Sequence, residues 1–136
     1  MAAITEGRGV PERTGKSVTA GLAAATKILQ GALVCLNAAG NMVNGTAALN
    51  LKAQGIAADE YDNTAGAAGD VIGTANKGIF RFANSSAGDL IAKADIGATA
   101  YIVDNQTVAK TDGTGTRSAA GKIFDVDAQG VWIDFR

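Results

Sequence analysis

Lys122-Ile-Phe-Asp-Val-Asp-Ala-Gln-Gly-Val-Trp-Ile-Asp-Phe135 reads as two strands and the turn between them. In the second strand Val131, Ile133 and Phe135 alternate onto one face, and Trp132 and Asp134 onto the other. Asp127-Ala-Gln-Gly130 is the connection, with Gly130 where hairpin turns often need a positive φ. Lys122 to Val126 is the partner run. A hairpin this plain sets the expectation for the rest of the chain.

Working back from it, the same grammar repeats. Ala100 to Val103 and Thr107 to Ala109 flank the short connection Asp104-Asn105-Gln106. Lys77-Gly-Ile-Phe-Arg-Phe82 is a strand with Phe80 and Phe82 on one face and Ile79 and Arg81 on the other. Ala32 to Leu36 is closed by Asn37-Ala-Ala-Gly-Asn41, with Met42 and Val43 returning. Gly55 to Ala58 and Asp70 to Gly73 are further short runs, separated by the Asp-, Asn- and Gly-rich stretch from Asp59 to Gly69. About eight short strands at such spacing predict an all-β fold, a small antiparallel β-barrel or β-sandwich. The spacing is too irregular for a solenoid.

Composition agrees. The 136 residues include 28 Ala and 18 Gly, and Ile and Val total 19 against 7 Leu, with 12 Thr. Stiff β-branched side chains favour a pleated surface over a helix. The stretch 17–30 is ambiguous, because Val18, Leu22, Ala25 and Leu29 recur at helical spacing while Gly21 and Gly31 interrupt it. It is read as mostly extended, with room for a short helix.

The N-terminus has a different character. Residues 1–27 carry Glu6 and Glu12 against Arg8, Arg13, Lys16 and Lys27, while the whole chain has a net charge of -1. Gly7, Gly9, Pro11 and Gly15 break any regular element. Residues 1–24 are therefore expected to form an extended arm, its first 16 without a core of their own, and residues 25–136 the body.

Several functions are disfavoured. Near-neutral charge gives no electrostatic case for nucleic acid. Histidine is absent and Cys35 is the single cysteine, so the commonest general base, an internal disulfide and a cysteine metal cluster are missing. No apolar run is long enough to cross a bilayer as a helix, and no secretory h-region is visible at the N-terminus. The expectation is a non-enzymatic chain with no cofactor, metal, nucleic acid or membrane partner.

The motifs that suggest chemistry fail on spacing. Gly9-Val-Pro-Glu-Arg-Thr-Gly15-Lys16-Ser17 has five residues between its glycines where a phosphate loop has four, and no strand precedes it. Gly113-Thr-Gly115-Thr-Arg-Ser118 lacks the third glycine of a dinucleotide fingerprint. Asp59, Glu60, Asp62 and Asp70 match no calcium-loop spacing and read as a solvated acidic turn. Asp125 and Asp127 share a strand face without a visible cleft. Asn44, Asn84 and Asn105 begin glycosylation-type triplets that read as turns, and Cys35 reads as a small buried hydrophobe.

Four segments carry a resemblance: Lys27-Ile-Leu-Gln-Gly-Ala-Leu-Val-Cys-Leu-Asn-Ala-Ala-Gly40, Gly78-Ile-Phe-Arg-Phe-Ala-Asn84, Ala94 to Ala109, and Asp125 to Phe135. As a set they resemble the capsid decoration, or cement, proteins of Mu-like and related tailed phages and prophages. The resemblance covers roughly residues 25–136; the arm is less distinctive. It implies a β-rich, barrel-like body on the outer capsid surface of the virion, made in the bacterial host cytoplasm and bridging major capsid protein subunits. It also implies a homo-oligomer, a trimer ahead of a dimer, and it carries over no catalytic residue. Arg8, Val10, Pro11, Arg13 and Lys16 of the arm are the expected contacts with capsid or neighbouring subunits. Trp132 and Phe135 join them because aromatics are enriched at interfaces, although Phe135 serves equally well to close the core. The alternatives are a phage tail or other self-assembling component and, behind it, a small ligand-binding β-barrel.

Overall fold

The computed structural model describes residues 2–136, and the described chain is almost entirely β. One sheet has the order β1 (Ser17–Gly21), β7 (Ile72–Asn76), β5 (Lys52–Ala57), β3 (Leu33–Leu36) and β4 (Met42–Asn44). The second runs β10 (Val108–Ala109), β9 (Thr99–Ile102), β11 (Ala119–Asp127), β12 (Gly130–Asp134) and β8 (Ile79–Phe82). A two-stranded ribbon joins β2 (Thr26–Ile28) to β6 (Tyr61–Asn63). Every strand pairing is antiparallel. Single parallel bridges link Leu22 to Met42 and Ala83 to Thr107, but neither sheet closes, so the fold is an all-β sandwich and the barrel half of the expectation falls.

Alternation along β3 explains the layering. Leu33 and Cys35 point into the core shared with the second sheet, among Ile102, Ile123, Val131, Ile133 and Phe135. Val34, between them, points the other way, into a smaller core with Leu22, Ile28, Met42, Ala57 and Ala75. The β2–β6 ribbon contributes Ile28 and Tyr61 to that second core. A central sheet buried on both faces has to be apolar in consecutive positions, and Leu33-Val-Cys-Leu36 is.

The hairpin read first is present, with β11 longer than expected and Asp127 opposite Gly130. Gly130 has φ 156°, and a Cβ there would lie 2.4 Å from the carbonyl oxygen of Phe82, so both backbone angle and space require glycine. Other runs shift. Lys77 and Gly78, read as the start of a strand, form the turn between β7 and β8. The run placed at Asp70 to Gly73 begins two residues later.

The arm is shorter than the sequence suggested. Ser17–Gly21, grouped with it, pairs along its length with β7, and Leu22 is fully buried. What remains exposed is residues 2–16, while Met1 lies outside the described residues. The stretch 17–30 contains no helix: Val18 and Ala20 alternate inward at strand period, and Ala25 adopts φ 52°.

Candidate interaction surface

The arm residues Arg8, Val10, Pro11, Arg13 and Lys16 are all exposed, Val10 at 66% of its full area and Ile4, unremarked in the sequence, at 70%. The arm is anchored at its root, where the Lys77 N–H donates to the Lys16 carbonyl at 2.9 Å. The arm thus presents exposed apolar side chains and three cations to solvent.

Trp132 sits half-buried on the outer face of the second sheet. Its indole Nε1 donates to Asp127 Oδ2 at 2.9 Å, and the Arg81 guanidinium lies 5.8 Å from the ring centroid. Arg81 also donates to Gln129 Oε1 at 2.6 Å, so the turn, the tryptophan and β8 are tied together. The indole bond, with turn amides of Gln129 and Gly130, holds the Asp127 carboxyl below the usual carboxylate range. Trp132 is thus a rigid, partly exposed aromatic.

Phe135 is not a surface residue. It is 6% exposed and packs against Phe80 and Phe82 at centroid separations of 6.3 and 5.7 Å. The exposed aromatic that sequence reasoning missed is Phe124, 52% exposed. The pairing passes from Ile123–Ile133 to Asp125–Trp132, which leaves Phe124 as the extra residue of a β-bulge. Nothing in Lys122-Ile-Phe-Asp-Val126 announces that bulge.

The remaining candidates are placed as follows. Gly9 to Lys16 lies in the exposed arm, and Gly113 to Ser118 is a turn whose Thr116 and Arg117 amides donate to the Asp112 carbonyl. Asp62 accepts from the Thr64 amide and hydroxyl, and Asp70 from the Ala67 amide, which makes both turn caps. Asp125 accepts from its neighbour's amide and pairs loosely with Lys93. The side chains of Asn44, Asn84 and Asn105 are all bonded internally, Asn84 at both ends to Ile91. Cys35 is fully buried, and burial pushes its thiol up to about 12. Among the described residues, no group of three or more His, Cys, Asp and Glu is arranged to hold a metal ion. No described helix is long and apolar enough to cross a membrane.

The structure brings one sequence-predicted residue into a new setting. Lys16 shares an open pocket of about 530 Å³ with Thr14, Gly15, Lys77, Gly78 and Arg136, at the seam where the arm leaves the first sheet and the second sheet ends. Trp132 and Phe124 lie apart from this pocket, on strands of the second sheet. Searches of family models, curated proteins and solved structures found nothing that matches this chain.

Proposed function

We propose that this chain is a structural, non-enzymatic virion protein of a tailed phage, a decoration protein that binds the outer capsid surface and bridges major capsid protein subunits. The observation that carries the reading is the pairing of a compact sandwich with an exposed arm, residues 2–16. The four-segment resemblance to decoration proteins supplies the setting. The chain works as a homo-oligomer, a trimer ahead of a dimer, without cofactor, nucleic acid or membrane.

The physics of the role is linkage: whatever binds the assembled shell and not its parts stabilises the shell. Many modest contacts sum through multivalency, so no single copy needs high affinity. Ile4 and Val10 supply apolar contact, and Arg8, Arg13 and Lys16 steer the arm toward acidic surface in a salt-dependent way.

The test is co-sedimentation of the purified protein with parent-phage capsids that lack it, across a salt series. The expected result is saturation at a fixed ratio to the major capsid protein, weakening as salt rises. Absence of binding, with tubes or filaments formed by the protein alone, would transfer the assignment to a tail or other self-assembling component.

A further inference from the structure

The first sheet is electrically polar along its strands. β1 enters at Ser17 opposite Asn76 and leaves at Gly21 opposite Ile72, so the arm root lies at the end of β7 and the turn before β7 lies at the far end. The connection from β5 through β6 to β7 is acidic there: Asp59, Glu60, Asp62 and Asp70 occur between residues 59 and 70 with no Lys or Arg among them. β5 delivers the chain there, since Ala57 pairs with Ala75 and the Ala58 amide donates to the Thr74 carbonyl. Lys27 is the cation that reaches this pole, 3.9 Å from Glu60, with both side chains about half exposed. Asp62, Asp70 and Asp59 face solvent and accept from turn amides and a threonine hydroxyl, and Lys27 stands opposite Asp62 across the β2–β6 ribbon.

The opposite pole is basic. Lys16, Lys77 and Arg136 converge on the pocket at the arm root, about 13 Å away along the five residues of β7. Arg136 is engaged, donating from Nε and Nη2 to the Asp134 carboxylate at 3.1 and 3.0 Å. Lys77 Nζ donates only to the Gln54 carbonyl, and among the described residues neither Lys77 nor Lys16 has a carboxylate within 4.0 Å. Just upstream in the arm, Glu12 and Arg13 carry opposite charges. The pocket therefore counts among its lining residues two lysines without a carboxylate partner, and at the other end of the same sheet the chain carries an exposed acidic segment in which Lys27 offsets one of four carboxylates.

We propose that copies of this chain associate head to tail, the Asp59–Asp62 segment at the start of β6 in one copy seating in the Lys16–Lys77 pocket of the next. The two surfaces differ, so the contact is heterologous and either closes into a ring or continues as a filament. This deepens the homo-oligomer part of the proposed function and does not rest on capsid binding. Exposed charges interact over about 8–10 Å at physiological ionic strength, so the association weakens with salt.

Charge reversal tests it by sedimentation of the full chain. The wild type is expected at a multiple of the 13.6 kDa chain mass in low salt. The variant Lys16→Glu/Lys77→Glu and the variant Asp59→Lys/Glu60→Lys should each self-associate at least about tenfold more weakly, because like charges then face each other. Mixed in equal amounts, each variant presents a 59–62 segment opposite in sign to the pocket of the other, so the two should associate with each other more strongly than either does with itself. All four substitutions in one chain should restore the wild-type mass. A monomeric wild type, variants that keep the wild-type mass, or a mixture that does not pair would each overturn the proposal. Should circular dichroism show that loss of the Lys77–Gln54 bond unfolds the first variant, Lys16→Glu/Arg136→Glu takes its place with the same expected outcomes. Capsid co-sedimentation is read separately: a protein that is monomeric yet still decorates shells would sink the head-to-tail contact alone.

Discussion

Phe135 and Cys35 show what single side chains do in a thin core. With only 5% aromatic residues, the Phe80–Phe82–Phe135 cluster supplies a large share of the bulky packing available to the second sheet. Truncating Phe135 to Ala leaves a cavity between two rings that the short C-terminal strand has little means to refill. Phe135→Ala is expected to cost about 3–5 kcal/mol in urea unfolding; a loss under about 1 kcal/mol would mean the ring is a surface residue after all. Cys35 makes a separate prediction. Only the thiolate reacts, and a thiol pushed up to about 12 by burial is almost wholly protonated at neutral pH. A thiol reagent should label the urea-unfolded chain at one site and leave the native protein unmodified over the same interval. The alternation of Val131, Ile133 and Phe135 already pointed Phe135 inward in the sequence, and only the general preference of interfaces for aromatics argued otherwise. Phe124 was not legible in the same way, because a bulge is a property of the pairing between two strands and neither strand shows it alone.

At the scale of elements, the β11–β12 hairpin was legible because all its determinants are local: alternation, a four-residue connection and Gly130. The turn is stapled by Asp127, whose Oδ1 accepts from the Gln129 and Gly130 amides and whose Oδ2 accepts from Trp132. These bonds, the indole first, hold the carboxyl below its ordinary value, so the folded state binds that proton less readily than the unfolded chain. The contribution is fully present above the ordinary carboxylate range and is lost as pH falls through the depressed folded value. Asp127→Asn should therefore lower the urea midpoint near neutral pH and converge on the wild type in acid; parallel curves for the two proteins from neutral pH to acid would remove the staple from the account. Asp89, bonded by Thr111 and Arg117, and Asp134, bonded by Arg136, are depressed in the same direction and steepen the wild-type decline in the same window. β1 was legible only as part of a stretch read as mostly extended, and β6 was not legible. Ser17–Gly21 offers small side chains with little apolar area, and its strand character comes from β7, far along the chain. Tyr61-Asp-Asn63 looks like part of a polar loop and is a strand because β2 pairs with it and Tyr61 covers the second core. Short Ala- and Gly-rich strands are specified by their partners more than by their own residues.

For the whole molecule, the decisive division lies at Lys16. Upstream, every described residue is exposed; downstream, β1 is zipped to β7 and Leu22 is sealed in the second core. The sheet that β1 edges is shared by both cores, through Leu33 and Cys35 on one face and Val34 on the other, so the two layers stand or fall together. A chain lacking residues 2–16 loses none of these contacts. It should unfold in a single transition close to the melting temperature of the full chain, since the deletion removes one backbone bond, Lys77 to Lys16, and only exposed residues. Beyond its root at Lys16 the arm is exposed, which leaves its apolar and basic groups available to a neighbour. Binding of the truncated protein to undecorated capsids should consequently fall, and the salt dependence should flatten as Arg8, Arg13 and Lys16 leave the interface. Arg8→Ala/Arg13→Ala in the full chain separates the two contributions, because it removes charge while keeping Ile4 and Val10. If that variant binds with a flattened salt response and intermediate affinity, the arm acts through both its charges and its apolar side chains. If the truncated protein decorates shells as tightly as the full chain, with the same salt slope, the grip lies elsewhere, and the exposed face carrying Phe124 and Trp132 becomes the surface to mutate.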